Sequence, residues 1–295
     1  MEGGSSMKGK LSDRMVAAMP WLDTVAKFLQ KAGDPIAGQR APRSLKDALA
    51  GTWLGHPLHP AVVDVPLGLW TASLILDATG NDAAADLTLG LGLMSSVGAA
   101  ATGVAQWHDA VYDPRPRRLG ALHAALNSAA TLLYAGSLLA RQRGSRGTGQ
   151  TLALAGYSLA TFSAWLGGDL AYDLGIGVNH LAFHQLPEDW VDVAGVDEIE
   201  EGKPKRVRAK AFPVLLLKRG DRIHAIAATC PHLGGPLDKG IIEGETVTCP
   251  WHGSVFSLRD GRLIHGPATA PVPTFEVRIA GGRVSVRAAT PVRAS

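Results

Sequence analysis

Two cysteines occur in the 295 residues, and each stands in a ligand-type pair, Cys230-Pro-His232 and Cys249-Pro-Trp-His252, with sixteen residues between the pairs. Thiolate and imidazole together hold soft or borderline metals, so two chemistries are open: a closed tetrahedral zinc site or an iron-sulfur centre. Either one commits both thiols and leaves none for a disulfide. The loops favour the second. Gly and Pro crowd both pairs, in Cys230-Pro-His232-Leu-Gly-Gly-Pro236 and Cys249-Pro-Trp-His252-Gly-Ser254. Such loops let backbone N–H groups approach an anionic centre, which bridging sulfides need and a lone zinc ion does not.

Residues 190–286 resemble the Rieske ferredoxin family. The resemblance rests on the Cys-x-His and Cys-x-x-His pairs, the Gly-Gly-Pro-Leu after the first, the His-Gly-Ser-x-Phe after the second, and a third loop at Gly266-Pro267-Ala268. It implies a 2Fe-2S cluster with Cys230 and Cys249 on one iron and His232 and His252 on the other, surrounded by Gly235, Ser254, Phe256 and Pro267. Two thiolates leave the oxidised centre near neutral, where four would leave it doubly negative, so the mixed set raises the reduction potential. The reduced centre carries more negative charge, so its His ligands should bind protons more tightly. High-potential members carry an extra cysteine in each cluster loop, joined as a disulfide; the matching positions here are Gly235 and Trp251. Of the Ser and Tyr hydroxyls that donate to the cluster in that branch, Ser254 is kept and Phe256 replaces the other. A potential in the lower or middle part of the Rieske span, about −150 to +300 mV, is expected.

These loops need a β scaffold. Residues 211–218, 224–228, 246–249 and 274–279 are short apolar or alternating runs separated by Gly/Asp/Arg turns, which predicts a small antiparallel domain. The family fold implied is an all-β sandwich with the cluster at two hairpin tips. His265 and His224 are spare, and His265 is expected at the surface. An oxygenase would need a further large domain for a mononuclear iron, so no self-contained oxygenase site is expected.

The first two thirds are of another kind. Residues 61–78, 83–105, 119–140 and 150–170 are long apolar segments, each near the ~20 residues that span a bilayer. They predict an all-α four-helix transmembrane bundle, with a soluble helical bundle as the alternative. Ser95, Ala99 and Gly103 recur every fourth residue, giving one helix a closely packing face. Eight Lys and Arg precede Ala61, and Arg115, Arg117 and Arg118 lie in the second loop on that side, against Arg141, Arg143 and Arg146 on the other. The positive-inside rule then places both termini in the cytoplasm of a multi-pass inner or plasma membrane protein. Residues 1–10 show no export signal, and the basic balance is read as topology, not as a nucleic-acid footprint. Residues 11–32, with Met15, Met19, Trp21, Leu22 and Phe28 on one side, predict a helix on the lipid surface or against a partner. The expected division is a leader at 1–52, the bundle at 53–180, a linker at 181–189 and the β domain at 190–295.

Gly55-His56-Pro57-Leu58-His59-Pro60, continuing through Asp64-Val-Pro66-Leu-Gly-Leu-Trp70, resembles a bacterial family of four-helix membrane proteins of unassigned function. Five histidines, His56, His59, His108, His123 and His180, fall at the cytoplasmic ends of the segments, with Asp64, Asp109 and Asp169 at similar depth. A b-type haem, first on His59 and His123, a quinone pocket, and plain anchoring of helix ends are the open readings. Three functions remain: an electron carrier with the bundle as anchor; a membrane oxidoreductase whose bundle holds haem or quinone; and a redox sensor. Expected partners are a redox protein or membrane quinone and the lipid bilayer, and small-residue faces permit homo-oligomers.

Overall fold

The computed structural model describes residues 10–110 and 113–289, so the reading of residues 1–9 lies outside it. The chain forms two compact units, each discontinuous. One takes in the chain up to Ala41 together with Leu58–Ile176; the other combines Pro42–Pro57 with the chain from Gly177 onward. The leader, expected as one segment, therefore divides between the two.

In the helical unit, α1 (Leu11–Ala17) and α2 (Leu22–Ala37) replace the single amphipathic helix expected over residues 11–32. The break falls at Met19-Pro20, where proline has no N–H to continue the helix. The side expected to meet lipid or a partner stays largely exposed, Leu22 apart. Val16, Leu22 and Ala26 are buried, whereas Trp21 and Phe28 are 55% and 70% exposed. Ion pairs hold these helices in place: Asp13 takes Arg115 at 2.5 Å, and Asp23 takes Arg117 and Arg118 at 2.8 and 2.7 Å. With two guanidinium groups donating to it, the Asp23 carboxyl is held well below the usual carboxylate range.

Four long helices follow. They are α4 (Leu58–Ala78), α5 (Asp82–Trp107), α6 (Pro114–Gln142) and α7 (Arg146–Gly168). The first three cover the expected segments, and α7 stops two residues short of its own, at Gly168. Two of them, α4 and α5, are long and apolar enough to cross a membrane by length and composition; α6 opens on three arginines and α7 is rich in Gly, Ser and Thr. Asp113 caps α6, accepting from the Arg115 N–H at 2.9 Å.

The four helices are an internal duplication that hydropathy alone concealed. The α4–α5 hairpin recurs as α6–α7 at an offset of 64 residues, the separation of Asp77 and Arg141. Ser73 donates to Ala85 O at 2.8 Å, and Ser137 donates to Gly149 O at 2.6 Å. The connecting turns match as well, with Gly80 and Gly144 at φ 74° and 80°, a region glycine enters without strain. Residues at equivalent positions meet one another: Trp70 stacks on Tyr134 with centroids 4.0 Å apart, and Arg141 pairs with Asp77 at 2.5 Å. Equivalent residues in mutual contact mark a local twofold axis, here running along the helices. Each of α4 and α6 packs on both α5 and α7, which places α4 and α6 on a diagonal.

The second unit is antiparallel β. Its strands are β1 (Val191–Gly195), β2 (Lys205–Ala209), β3 (Phe212–Arg219), β4 (Arg222–Ala227), β5 (Ile241–Glu243), β6 (Thr246–Thr248), β7 (Val255–Ser257), β8 (Leu263–His265), β9 (Phe275–Ala280) and β10 (Arg283–Ala288). They form three sheets, β1-β10-β9, β2-β3-β4 and β5-β6-β7-β8, around one core. Val214, Leu215, Leu216 and Leu217 are all fully buried, so both faces of β3 are covered, which is why that run is continuous and not alternating. β9 and β10 join through Gly281-Gly282, both at positive φ, the turn that matches strand twist. Joining this unit from ahead of the bundle is α3 (Arg43–Ala50), ended by Gly51 at φ 84°.

Candidate iron-sulfur centre

The two ligand loops have the same backbone. In the first, after β4, Cys230 N–H donates to Gly235 O at 2.8 Å and Gly234 N–H returns to Cys230 O at 3.0 Å. In the second, between β6 and β7, Cys249 N–H donates to Ser254 O at 2.8 Å and Gly253 N–H returns to Cys249 O at 3.1 Å. Gly234 and Gly253 both lie at φ 80°, so each loop turns on a glycine at the same place.

The loops face each other. His232 and His252, both half-buried, bring their Nδ1 atoms to 3.2 Å, with the rings nearly perpendicular at 88°. Behind them, Cys230 and Cys249 are buried and form no disulfide. The neighbouring Cys249 thiol, and then burial, push the Cys230 thiol far above its ordinary range. A paired, neutral dithiol of this kind must give up its protons when a metal takes it, as thiolate ligation requires.

The surroundings accept a compact group and little else. A Cβ on Gly235 would meet Cys249 Sγ at 2.8 Å and the Trp251 ring at 3.2 Å, so only glycine fits between the two loops. This also sets the two positions that resemble the disulfide pair side by side. Ser254 is fully buried, accepts from Ala268 N–H at 3.0 Å, and partly offsets the upward push on the Cys230 thiol. Phe256 is buried in β7 beneath the loops, and Pro267 belongs to the third loop, between Gly266 and Ala268. Sulfur on one side and paired imidazole nitrogen on the other fit a two-metal centre with unlike ends.

Asp47 is the residue that pattern reading missed. Its carboxylate accepts from Gly266 N–H at 2.7 Å and from His265 Nδ1 at 2.8 Å, and Thr52 Oγ1 donates to Ala268 O at 3.4 Å. His265 is thus a partly exposed anchor for the third loop. No sequence motif marks Asp47, because its partner lies 218 residues away.

The family described as Rieske 2Fe-2S domain matches residues 189–276, and the family described as Predicted membrane protein (DUF2231) matches residues 55–180. Ferredoxin CarAc of Metapseudomonas resinovorans is 33% identical over 98 residues, 33% of this chain and 92% of that protein. The chain belongs to the Rieske family. Human apoptosis-inducing factor 3 is 38% identical over 104 residues, 35% of this Rieske protein, but the chain spans only 17% of that relative's length. Among solved structures, the ferredoxin of carbazole 1,9a-dioxygenase from Nocardioides aromaticivorans IC177 aligns with TM-score 0.32 and 28% identity, over 34% of this chain and 98% of that one. The Rieske domain carries a 2Fe-2S cluster, and its ferredoxin relatives are electron carriers.

The five membrane-side histidines do not assemble in one place. His56 and His180 belong to the β unit, His56 against Pro57 O at 3.0 Å, and His180 with its backbone N–H on Pro231 O at 3.0 Å. His108, at the end of α5, bonds Asp34 of α2 at 2.9 Å. His59 and His123 occupy equivalent positions of the two hairpins.

Proposed function

We propose that the protein is a membrane-anchored Rieske carrier that passes single electrons between a reductant and a redox partner protein. In this reading Cys230 and Cys249 hold one iron and His232 and His252 the other. The observation that supports it best is the 3.2 Å approach of the two Nδ1 atoms in front of two buried, unbridged thiols. When bound, the cluster takes up and releases one electron. Everything else falls to the chain. The half-buried imidazoles present the exposed edge through which a partner exchanges charge, while Phe256, Leu237 and Leu258, all essentially buried, keep water from the sulfur side. Ser254, steadied by Ala268 N–H, offers a hydrogen bond to the Cys230 sulfur that strengthens as negative charge grows.

The four long helices are read as spanning an inner or plasma membrane, with both termini cytoplasmic. Supporting this are the match to a membrane-protein family, the two strongly apolar helices and the arginines at the α6 start. Anchoring keeps the carrier near membrane partners and raises its effective concentration there.

The test is an EPR and optical spectrum of detergent-purified full chain, oxidised and reduced, alongside Cys230→Ser and His252→Ala. A Rieske-type signal in the wild type, lost in both variants, supports the assignment. Zinc without iron, or a signal surviving either change, refutes it. Reporter fusions at each terminus and at the α6–α7 connection test the topology.

A further inference from the structure

We infer that His59 and His123 are the two axial ligands of a b-type haem held on the local twofold axis of the helical unit. This site is built from other residues than the cluster loops and stands independently of them.

Three layers of equivalent residues lie along that axis: His59 with His123, Trp70 with Tyr134, and Asp77 with Arg141. In the two deeper layers the partners touch directly, as a ring stack and an ion pair. In the outermost layer the two imidazoles hold equivalent places, His59 on α4 and His123 on α6. They come from α4 and α6, the diagonal helices, so what joins them must sit in the middle of the bundle. Cofactors in helix bundles are held this way, by side chains of facing helices.

The second observation concerns each ring's far side. His59 Nδ1 lies 3.0 Å from Ala99 O on α5, and His123 Nδ1 lies 2.8 Å from Ser163 O on α7. A carbonyl only accepts, so both Nδ1 atoms carry the proton and both Nε2 atoms carry the lone pair. A backbone acceptor behind the ring is the usual companion of a metal-bound histidine. Ser163 completes the match: its hydroxyl donates to His123 O at 3.0 Å, leaving its oxygen to accept from Nδ1 at 2.9 Å.

Thirdly, each ring rests on a glycine of the neighbouring helix. A Cβ on Gly103 would come within 2.8 Å of His59 Cε1, and one on Gly167 within 3.1 Å of His123 Cε1. The histidine, its carbonyl and its glycine are therefore all repeated at the same offset, although most positions of the two hairpins have diverged. Helix anchoring alone would not require both copies to keep the same three parts.

The donor set selects the ligand. Among the described residues no third His, Cys, Asp or Glu converges on this pair, so a bare ion would be left with two protein ligands. Haem brings four in-plane nitrogens of its own and needs one imidazole on each face. The Trp70–Tyr134 stack lies eleven residues deeper, roughly 16 Å at the helical rise, and closes the seam below. Asn127, whose amide donates to His123 Nε2 at 3.1 Å, occupies the lone pair until the iron takes it.

The experiment uses full chain expressed in haem-replete cells, purified in detergent and supplied with haemin. Expected is a low-spin b-type spectrum with about one haem per chain, abolished in His59→Ala and in His123→Ala. It persists in His56→Ala and His108→Ala, and the cluster's EPR signal is unchanged in all four. Wild type that takes up no haem overturns the proposal, as does haem retained by both single variants. Should the alanine variants unfold, the wild-type stoichiometry decides, together with His59→Met, which keeps a ligand and should hold haem with an altered spectrum.

Discussion

His265 donates from Nδ1 to the Asp47 carboxylate at 2.8 Å, and the second oxygen of that carboxylate takes the next backbone N–H, that of Gly266, at 2.7 Å. One side chain from ahead of the helical bundle therefore fixes the third loop. Asp47→Ala should lower the stability of the β unit by about 1–2 kcal/mol, the range for bonds to a partly exposed charged acceptor. Asp47→Asn, which keeps an acceptor for Gly266, should cost less. Unfolding followed by loss of cluster absorbance measures both, and equal stability of all three proteins would remove the anchor role.

Ser254→Ala deletes a buried hydroxyl that favours the charged form of the Cys230 sulfur and leaves Ala268 N–H without its 3.0 Å acceptor. A donor to sulfur favours the more negative, reduced state. Its loss should lower the midpoint by roughly 20–60 mV, a bond of about 0.5–1.5 kcal/mol converted for one electron. Potentiometric titration reads this directly, and a rise would reverse the argument.

His108 is held above its ordinary 6.5 by the Asp109 carboxylate, against desolvation, and with help from Asp34 on α2. A raised folded value means that this stabilisation is complete below about pH 6.5 and is lost as pH climbs through the raised value. Amide exchange in α2 should therefore quicken over that window. Asp34→Ala should flatten the dependence, and an exchange rate that falls with pH after correction for intrinsic chemistry would contradict it.

Arg141 is fully buried and bridges Asp77 at 2.5 Å and Asp86 at 2.8 Å. Arg141→Ala strands a buried carboxylate and should destabilise the helical unit by about 3–5 kcal/mol, toward the lower end because Arg146 also reaches Asp77, at 2.8 Å. Replacing both Asp77 and Arg141 by Leu should recover most of the loss. Unfolding in mixed micelles distinguishes the single from the double change.

The two Cys/His pairs were legible as a motif because a metal site confines its ligands to short local spacings, and the structure brings the His232 and His252 rings to each other. The four long helices were legible for a similar reason, their apolar length. Three things were not. Pro20 divides a helix whose apolar periodicity runs across it. Short strands such as Ile241–Glu243 and Leu263–His265 hold too few residues to show alternation. The duplication was masked because partners on the axis had become unlike, Trp70 against Tyr134 and Asp77 against Arg141. Reading Ser73-Leu74 against Ser137-Leu138, Gly92 against Gly156, and Gly103 against Gly167 would have exposed it.

The borders of the Rieske match, 189 and 276, cut through the β unit. They exclude β10, the middle strand of the β1-β10-β9 sheet, and they exclude Pro42–Pro57 with its Asp47 clasp. A soluble fragment trimmed to those borders would lose a central strand and an outside brace. An excision that keeps the whole unit therefore begins at Gly177, runs past Ala288, and brings residues 42–57 with it.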